Sequence, residues 1–243
     1  TDNQREEIAP PLYAGMRSCT RSKRELTDAV LYLVESGYKW RQLPHDFPPH
    51  STVHSFYRRA RISGLWDKVL EHLVKKTRTN AGRRESPSYA VIDSQSVKTV
   101  AASKERGIDG GKKQKAEAAI VVDVLGCLLS VVVHAANIHN TKGGISTAKQ
   151  AYEQYPSIQK FLRTLDTAGT FVSDLKEQLA LDVDISEKIK PHQWEKLPWR
   201  WVVERTLSWL NHSRRRSKDY EVSVSSAEAM VIISHFHTLL KRL

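Results

Sequence analysis

Residues 89–100, "YAVIDSQSVKTV", decide how the rest of this chain is read. Tyr89, Ala90, Val91 and Ile92 suit a buried strand. They run straight into Asp93 and then into Ser94, Gln95 and Ser96. An aspartate that ends an apolar strand either caps a turn or is held rigidly to do chemistry. The residues around it must decide between the two.

Upstream the pattern is helical. Leu26, Ala29, Val30 and Leu33 follow helical spacing and Gly37 suits the end of that helix. "YKWRQLPHDFPPHS" is a rigid turn, because its three prolines leave little room for a helix. Ser51 stands at an N-cap position before a stripe of Val53, Phe56 and Tyr57. Leu65, Trp66, Val69, Leu70 and Leu73 form another stripe. Residues 1–77 are therefore expected to form a compact, helix-turn-helix-like module, with the polar, basic segment 78–88 as a linker.

Downstream the texture changes. Residues 89–93 read as a strand, and "AAIVVD" and "CLLSVVVHAA" as two more joined by a tight "VLG" hairpin. "GGISTAKQAYEQYP" is helical, "KFLRTLD" a short strand, "FVSDLKEQLAL" a helix and "DVDIS" a strand. Two helices follow, "LPWRWVVERTLSWLNHSRRR" and "SSAEAMVIISHFHTLLKRL". The expected class is α+β, with residues 89–243 forming a mixed sheet with helices packed on it.

Composition narrows the function. The 243 residues are 40% hydrophobic and 27% charged, enough for a real core, and the net charge is +11. A balance that basic favours a polyanionic partner, nucleic acid above all. The two cysteines, Cys19 and Cys127, build neither a disulfide framework nor a Cys-x-x-Cys metal site. That fits a reducing cytoplasmic setting. No apolar run approaches the length of a membrane span, and no signal-peptide pattern precedes the helices.

Three acids stand out. Asp93 and Asp166 each end an apolar strand, and Glu204 lies within an aromatic helix. Carboxylates on adjacent strand ends, joined by one from a packed helix, would suit Mg²⁺ or Mn²⁺, which take oxygen ligands. Two such ions roughly 4 Å apart serve phosphodiester chemistry. Asp123 in "IVVDVLG" and Asp109 in "GIDGG" read as turn residues. His134, ending the third strand, reads as a satisfied strand-end histidine, and His235 and His237 are spaced to point apart on a helix. Neither a nucleophile elbow nor a phosphate-cradling P-loop is found.

Basic runs surround these acids. "FYRRAR" places Arg58, Arg59 and Arg61 among aromatics, and "NHSRRRSKDY" carries Arg214, Arg215, Arg216 and Lys218. Lys98 follows the Asp93 strand, while "ERGIDGGKKQK" contributes Lys112 and Lys113. Arg200 lies one turn before Glu204.

The blocks "GYKWRQLPHDFPPHSTVHSFYRRARISGLWDK", "AVIDSQSVKT", "GIDGGKK", "IVVDVLG", "VVVHAANIHNTKGG" and "WRWVVERTLSWLNHSRRRSKDYE" closely resemble bacterial insertion-sequence transposases of the DDE type, in matching order along nearly the whole chain. The resemblance implies a ribonuclease-H-like catalytic domain whose acid triad binds two divalent ions. It also implies cleavage at transposon ends and joining of the 3′-OH to target DNA by a homodimer. Double-stranded DNA, as terminal inverted repeats and as target, would be the partner. By position the first Asp of the triad falls on Asp93 and the Glu on Glu204, with Arg200 matching a signature arginine. The family's lysine and tyrosine flanking the Glu are replaced by Asn211 and Leu197. "LDTAGTFVSD" departs from the family pattern around the second Asp. Asp166 matches it best, although counting back from Gly169 lands on Thr167, and Asp174 and Asp182 remain alternatives. A catalytically impaired DNA-binding protein on the same fold is the competing expectation.

Overall fold

The computed structural model describes residues 6, 8–11, 22–100, 107–108, 114–136, 140–163, 168–179, 181–185 and 200–243. Residues 8–11 are helical, and three longer helices follow: α1 (Lys23–Ser36), α2 (His50–Ile62) and α3 (Leu65–Asn80). Their buried faces are those the spacing marks, among them Leu26, Val30 and Leu33; Val53, Phe56 and Tyr57; Trp66, Val69 and Leu73. Helix α2 begins one residue before Ser51, with Pro49 at the cap position and no side-chain cap.

The segment expected to be a linker starts inside α3, which runs through Asn80. The reason is Arg78. Its side chain is buried, pairs with the Asp123 carboxylate on the sheet, and donates from Nε to the Arg84 carbonyl at 2.8 Å. A paired, hydrogen-bonded guanidinium can be buried where a lone one cannot.

The sheet comprises β1 (Tyr89–Lys98), β2 (Gly107–Ile108), β3 (Gln114–Asp123), β4 (Leu128–Ala135), β5 (Lys160–Arg163) and β6 (Asp182–Ile185). β4, β3 and β1 are neighbours and antiparallel, while β5 and β6 extend the sheet on the other side, parallel to β1. The small β2 pairs with β3. This mixed order, with β1 central, is the ribonuclease-H-like arrangement the motifs imply.

Helices α4 (Asn140–Gln154), α5 (Ala168–Leu179), α6 (Arg200–Asn211) and α7 (Val224–Leu240) flank it. α4 packs on β4, β3 and β1 and is tied down where the Ser130 hydroxyl donates to the Thr147 carbonyl at 2.9 Å. α7 is apolar on nearly all sides because it is enclosed on nearly all sides. It packs against β4, α3 and α1. Trp66 of α3 stacks on Phe236 with ring centroids 5.9 Å apart, and the Tyr57 hydroxyl meets Ser226 Oγ at 2.8 Å. Helices and sheet thus share one hydrophobic core. Among the described residues no helix is long and apolar enough to cross a membrane.

Candidate active site

Asp93 lies inside β1, not at its end. The strand continues through Lys98, with Asp93 opposite Ile120 and Ser96 opposite Glu117 on β3. Ladder hydrogen bonds are made by backbone, so polar Ser94, Gln95 and Ser96 do not stop pairing. Alternation then turns Ser94, Ser96, Glu117, His134 and Arg163 to one face and Asp93 to the other.

The first face is a buried polar layer covered by α4 and α5. The Ser94 hydroxyl donates to Glu117 Oε1, and Glu117 is only 4% exposed. His134 meets its own neighbour's carbonyl, Ala135, through Nδ1 at 3.0 Å, and a side chain on Gly143 would overlap its ring. Helix α4 therefore needs glycine there to sit this close. The Arg163 guanidinium lies 3.9 Å over the Phe171 ring. Burial pulls its pKa below the ordinary arginine value, while Asp93 and Glu117 pull it back up. His134 is thus a strand residue on the side away from Asp93.

Asp93 itself is half-buried, and its Oδ1 accepts the Ser94 N–H at 2.9 Å. Ser94 is held twice, by the carboxylate of Asp93 through its amide and by that of Glu117 through its hydroxyl. Glu117 thereby fixes the backbone next to Asp93 from the far side of the sheet.

Glu204 is exposed on α6, the helix packed against β1. Val202, Val203, Thr206 and Leu210 bury the opposite stripe. The Thr206 hydroxyl donates to the Gly126 carbonyl at 2.9 Å and Arg205 to the Leu125 carbonyl at 3.0 Å, docking α6 on the β3–β4 turn. Gly126 makes this contact possible: its φ is 82°, and a Cβ would stand 2.7 Å from Thr206 Oγ1.

Asp166 and Thr167 lie outside the described residues, as do Asp109, Lys112 and Lys113 and the side chain of Arg200. Of the alternatives, Asp182 is opposite Lys160, which is opposite Tyr89. That is four residues from Asp93 along β1, roughly 13 Å at the strand rise, too far for a shared ion. Asp174 sits on α5, the helix covering the other face. Among the described residues no three His, Cys, Asp or Glu side chains are grouped to hold a metal.

Asp123 has the turn role its sequence context suggests, and more. It is wholly buried, accepts the N–H groups of Leu125 and Cys127 at 2.9 and 2.8 Å, and pairs with Arg78.

The basic residues divide. Arg58 and Arg59 are exposed on α2, and Lys98, Arg214 and Lys218 are exposed as well. Arg61 reaches the start of α7, donating to Ser225 Oγ at 2.9 Å and to Ser223 Oγ at 3.2 Å. Arg215 and Arg216 point inward: Arg215 holds Glu221 at 2.6 Å and the Tyr38 carbonyl at 2.9 Å. Arg216 is 6% exposed. A run of three arginines gives no hint of this, because the 3₁₀ turn that swings two of them inward is set by tertiary contacts.

Helix α6 also carries a stack of two rings and a cation. The Arg205 guanidinium lies between Trp201 and Trp209, 4.4 and 4.6 Å from their ring centroids. The spacing i, i+4, i+8 is the available signal.

Residues 84–239 match the family described as "Transposase DDE domain", and residues 1–70 match one described as "Putative transposase of IS4/5 family". The chain is also 33% identical over 89 residues to an "Insertion element IS402 uncharacterized 16.2 kDa protein" of Burkholderia cepacia. That alignment covers 35% of this chain and 58% of the relative.

Proposed function

Because the chain belongs to the transposase DDE-domain family, we propose that it is a DNA transposase that cleaves transposon ends and joins the freed 3′-OH to target DNA. The observation that carries this reading is the placing of Asp93 on the central strand, with the helix bearing Glu204 packed against that same strand.

DDE domains depend on metal. Asp93 and Glu204, with Asp166 as the third acid, offer an all-oxygen donor set without histidine or thiolate, which fits Mg²⁺ or Mn²⁺ rather than zinc. Two such ions, when bound, stabilise charge on the scissile phosphate and activate the attacking oxygen. The rest falls to the protein. The Ser94 amide holds one Asp93 oxygen and so orients the carboxylate. Glu117 keeps Ser94 in place. Arg163, on the neighbouring strand and the opposite face, adds positive charge that Asp93 feels through the sheet.

DNA is held by Arg58, Arg59, Lys98, Arg214 and Lys218, all exposed, together with Lys112, Lys113 and Arg200. Contacts of this kind bind phosphates without reading sequence and weaken as salt rises. Terminal inverted repeats and target DNA are the substrates, and a homodimer is the working unit.

The test is strand cleavage of terminal-repeat duplex with Mg²⁺ or Mn²⁺, followed by joining to a target plasmid. The reading holds if wild type cuts and joins and Asp93→Ala does neither. Because "LDTAGTFVSD" departs from the family pattern, binding without cleavage by wild type is the specific alternative outcome, marking a DNA-binding protein that has lost its chemistry.

A further inference from the structure

Residues 212–223 join α6, which carries Glu204, to α7. Within this connection Arg215, Arg216 and Asp219 are all buried. Burying charged side chains in so short a stretch is costly unless they are paired and hydrogen-bonded.

Contacts on two sides account for the arrangement. On the sheet side, the Asp219 N–H donates to the Lys98 carbonyl at 2.8 Å, and the Asp219 carbonyl accepts the Val100 N–H at 3.0 Å. The connection thus lies along the end of β1, the strand of Asp93, as a parallel bridge to Thr99. The Asp219 carboxylate in turn accepts the Glu221 N–H at 3.0 Å. On the helical side, Arg215 holds one Glu221 oxygen through Nε at 3.0 Å and Nη2 at 2.6 Å. Its Nη1 donates to the Tyr38 carbonyl at 2.9 Å, and the Trp40 ring centroid lies 5.9 Å from the guanidinium. The other Glu221 oxygen accepts the Ser226 hydroxyl at 2.7 Å, which meets the Tyr57 hydroxyl of α2.

One ion pair therefore reaches the residues after α1, the middle of α2 and the start of α7, while the backbone between its members is stitched to β1. Stability alone does not call for it, since apolar groups of the same volume often serve a fold as well. What the pair supplies is direction: the chain leaving α6 is clamped between β1 and the helical module.

We propose that Arg215 and Glu221 are positioning residues for end cleavage. The pair fixes α6 against β1, and so sets how the Glu204 and Asp93 carboxylates stand relative to each other and to the module whose Arg58 and Arg59 hold DNA. This rests on the transposase reading and adds to it a joint between the part that holds DNA and the part that cuts it.

The experiment uses the full chain and the double variant Arg215→Met, Glu221→Leu, which removes the pair without leaving either charge buried alone. Its unfolding midpoint should stay near that of wild type. Mn²⁺ affinity measured by calorimetry should fall about tenfold to a hundredfold, and kcat for end cleavage about a hundredfold, the effect of an ångström-scale misplacement. Metal-free affinity for terminal-repeat duplex should keep its wild-type value, because the pair points inward. A folded double variant that keeps both Mn²⁺ affinity and kcat overturns the proposal, and so does one whose loss lies wholly in duplex affinity. If the double variant unfolds, Ser226→Ala decides, since it frees one Glu221 oxygen and leaves the ion pair in place. An unchanged kcat and Mn²⁺ affinity then overturn the proposal, and a fall in either at wild-type duplex affinity supports it. Wild type that neither binds nor cuts the duplex overturns the transposase reading, whereas the Mn²⁺ measurement, which needs no DNA, still decides whether the pair positions the acids.

Discussion

At the hairpin end of the sheet, Asp123 accepts two backbone N–H groups, pairs with Arg78 and is sealed from solvent. On the next strand, Asp93 lies three residues beyond Ala90, the partner of Asp123. It is half-buried, takes one N–H from Ser94 and sits on the strand that α6 covers. Both aspartates interrupt apolar strand sequence, and by local pattern they are twins. What separates them is burial. Asp123 is sealed among fixed partners that make it a structural anchor, whereas Asp93 is only half-buried on its strand.

The sharpest way to break this comparison is to remove each carboxylate in turn. Asp93→Asn should end metal-dependent cleavage while moving stability by no more than about 0.5 kcal/mol, read by cleavage assay and thermal unfolding. If it unfolds the protein, Asp93 is an anchor too. Asp123→Asn should do the reverse. Leaving Arg78 buried without its counter-charge costs about 3–5 kcal/mol, or roughly 10 °C in the unfolding midpoint of a chain this size. A midpoint within a degree or two of wild type would remove the anchor role.

Smaller effects sharpen the contrast. Glu117→Gln and Ser94→Ala loosen the backbone beside Asp93 without touching its carboxylate. Mn²⁺ affinity measured by calorimetry should fall about tenfold to a hundredfold, as for other groups that orient a ligand. Unchanged affinity would show that Asp93 needs no such support.

The hairpin end also has its own pH dependence. His235 is buried, its Nε2 accepts the Leu128 N–H at 3.0 Å, and burial holds its pKa down to about 3 from 6.5. The unfolded chain therefore takes up a proton that the folded chain refuses. Stability is full above the unfolded pKa and declines as pH falls from 6.5 towards 3. The unfolding midpoint should drop over that window, and His235→Asn should flatten the slope. An unaltered slope would exclude His235 as the cause.

Much of this was legible beforehand, for reasons that differ by residue. Leu26, Val30 and Leu33 announce a helix because helical spacing is local, and the "VLG" hairpin is equally local. The extension of β1 to Lys98 was hidden, because Ser-Gln-Ser looks like a loop until Ala119, Ala118 and Glu117 are known to lie opposite. Asp93 and Glu204 stand as candidates on motif membership. No motif marks Glu117, since its contact with Ser94 exists only through cross-strand register. Arg78, Arg215 and Arg216 read as solvent-facing charge, and only tertiary partners, Asp123 and Glu221 among them, turn such groups inward.

The placement of α7 has a consequence for how the protein is made. Trp66 and Tyr57, from α3 and α2, find Phe236 and Ser226 only once residues 224–240 have been synthesised. Until the ribosome has released that stretch, the leading helices lack their inner wall and the nascent chain has no finished surface to offer DNA. A product cut short before residue 224 would leave Trp66 and Tyr57 without these partners and their apolar surface open to water.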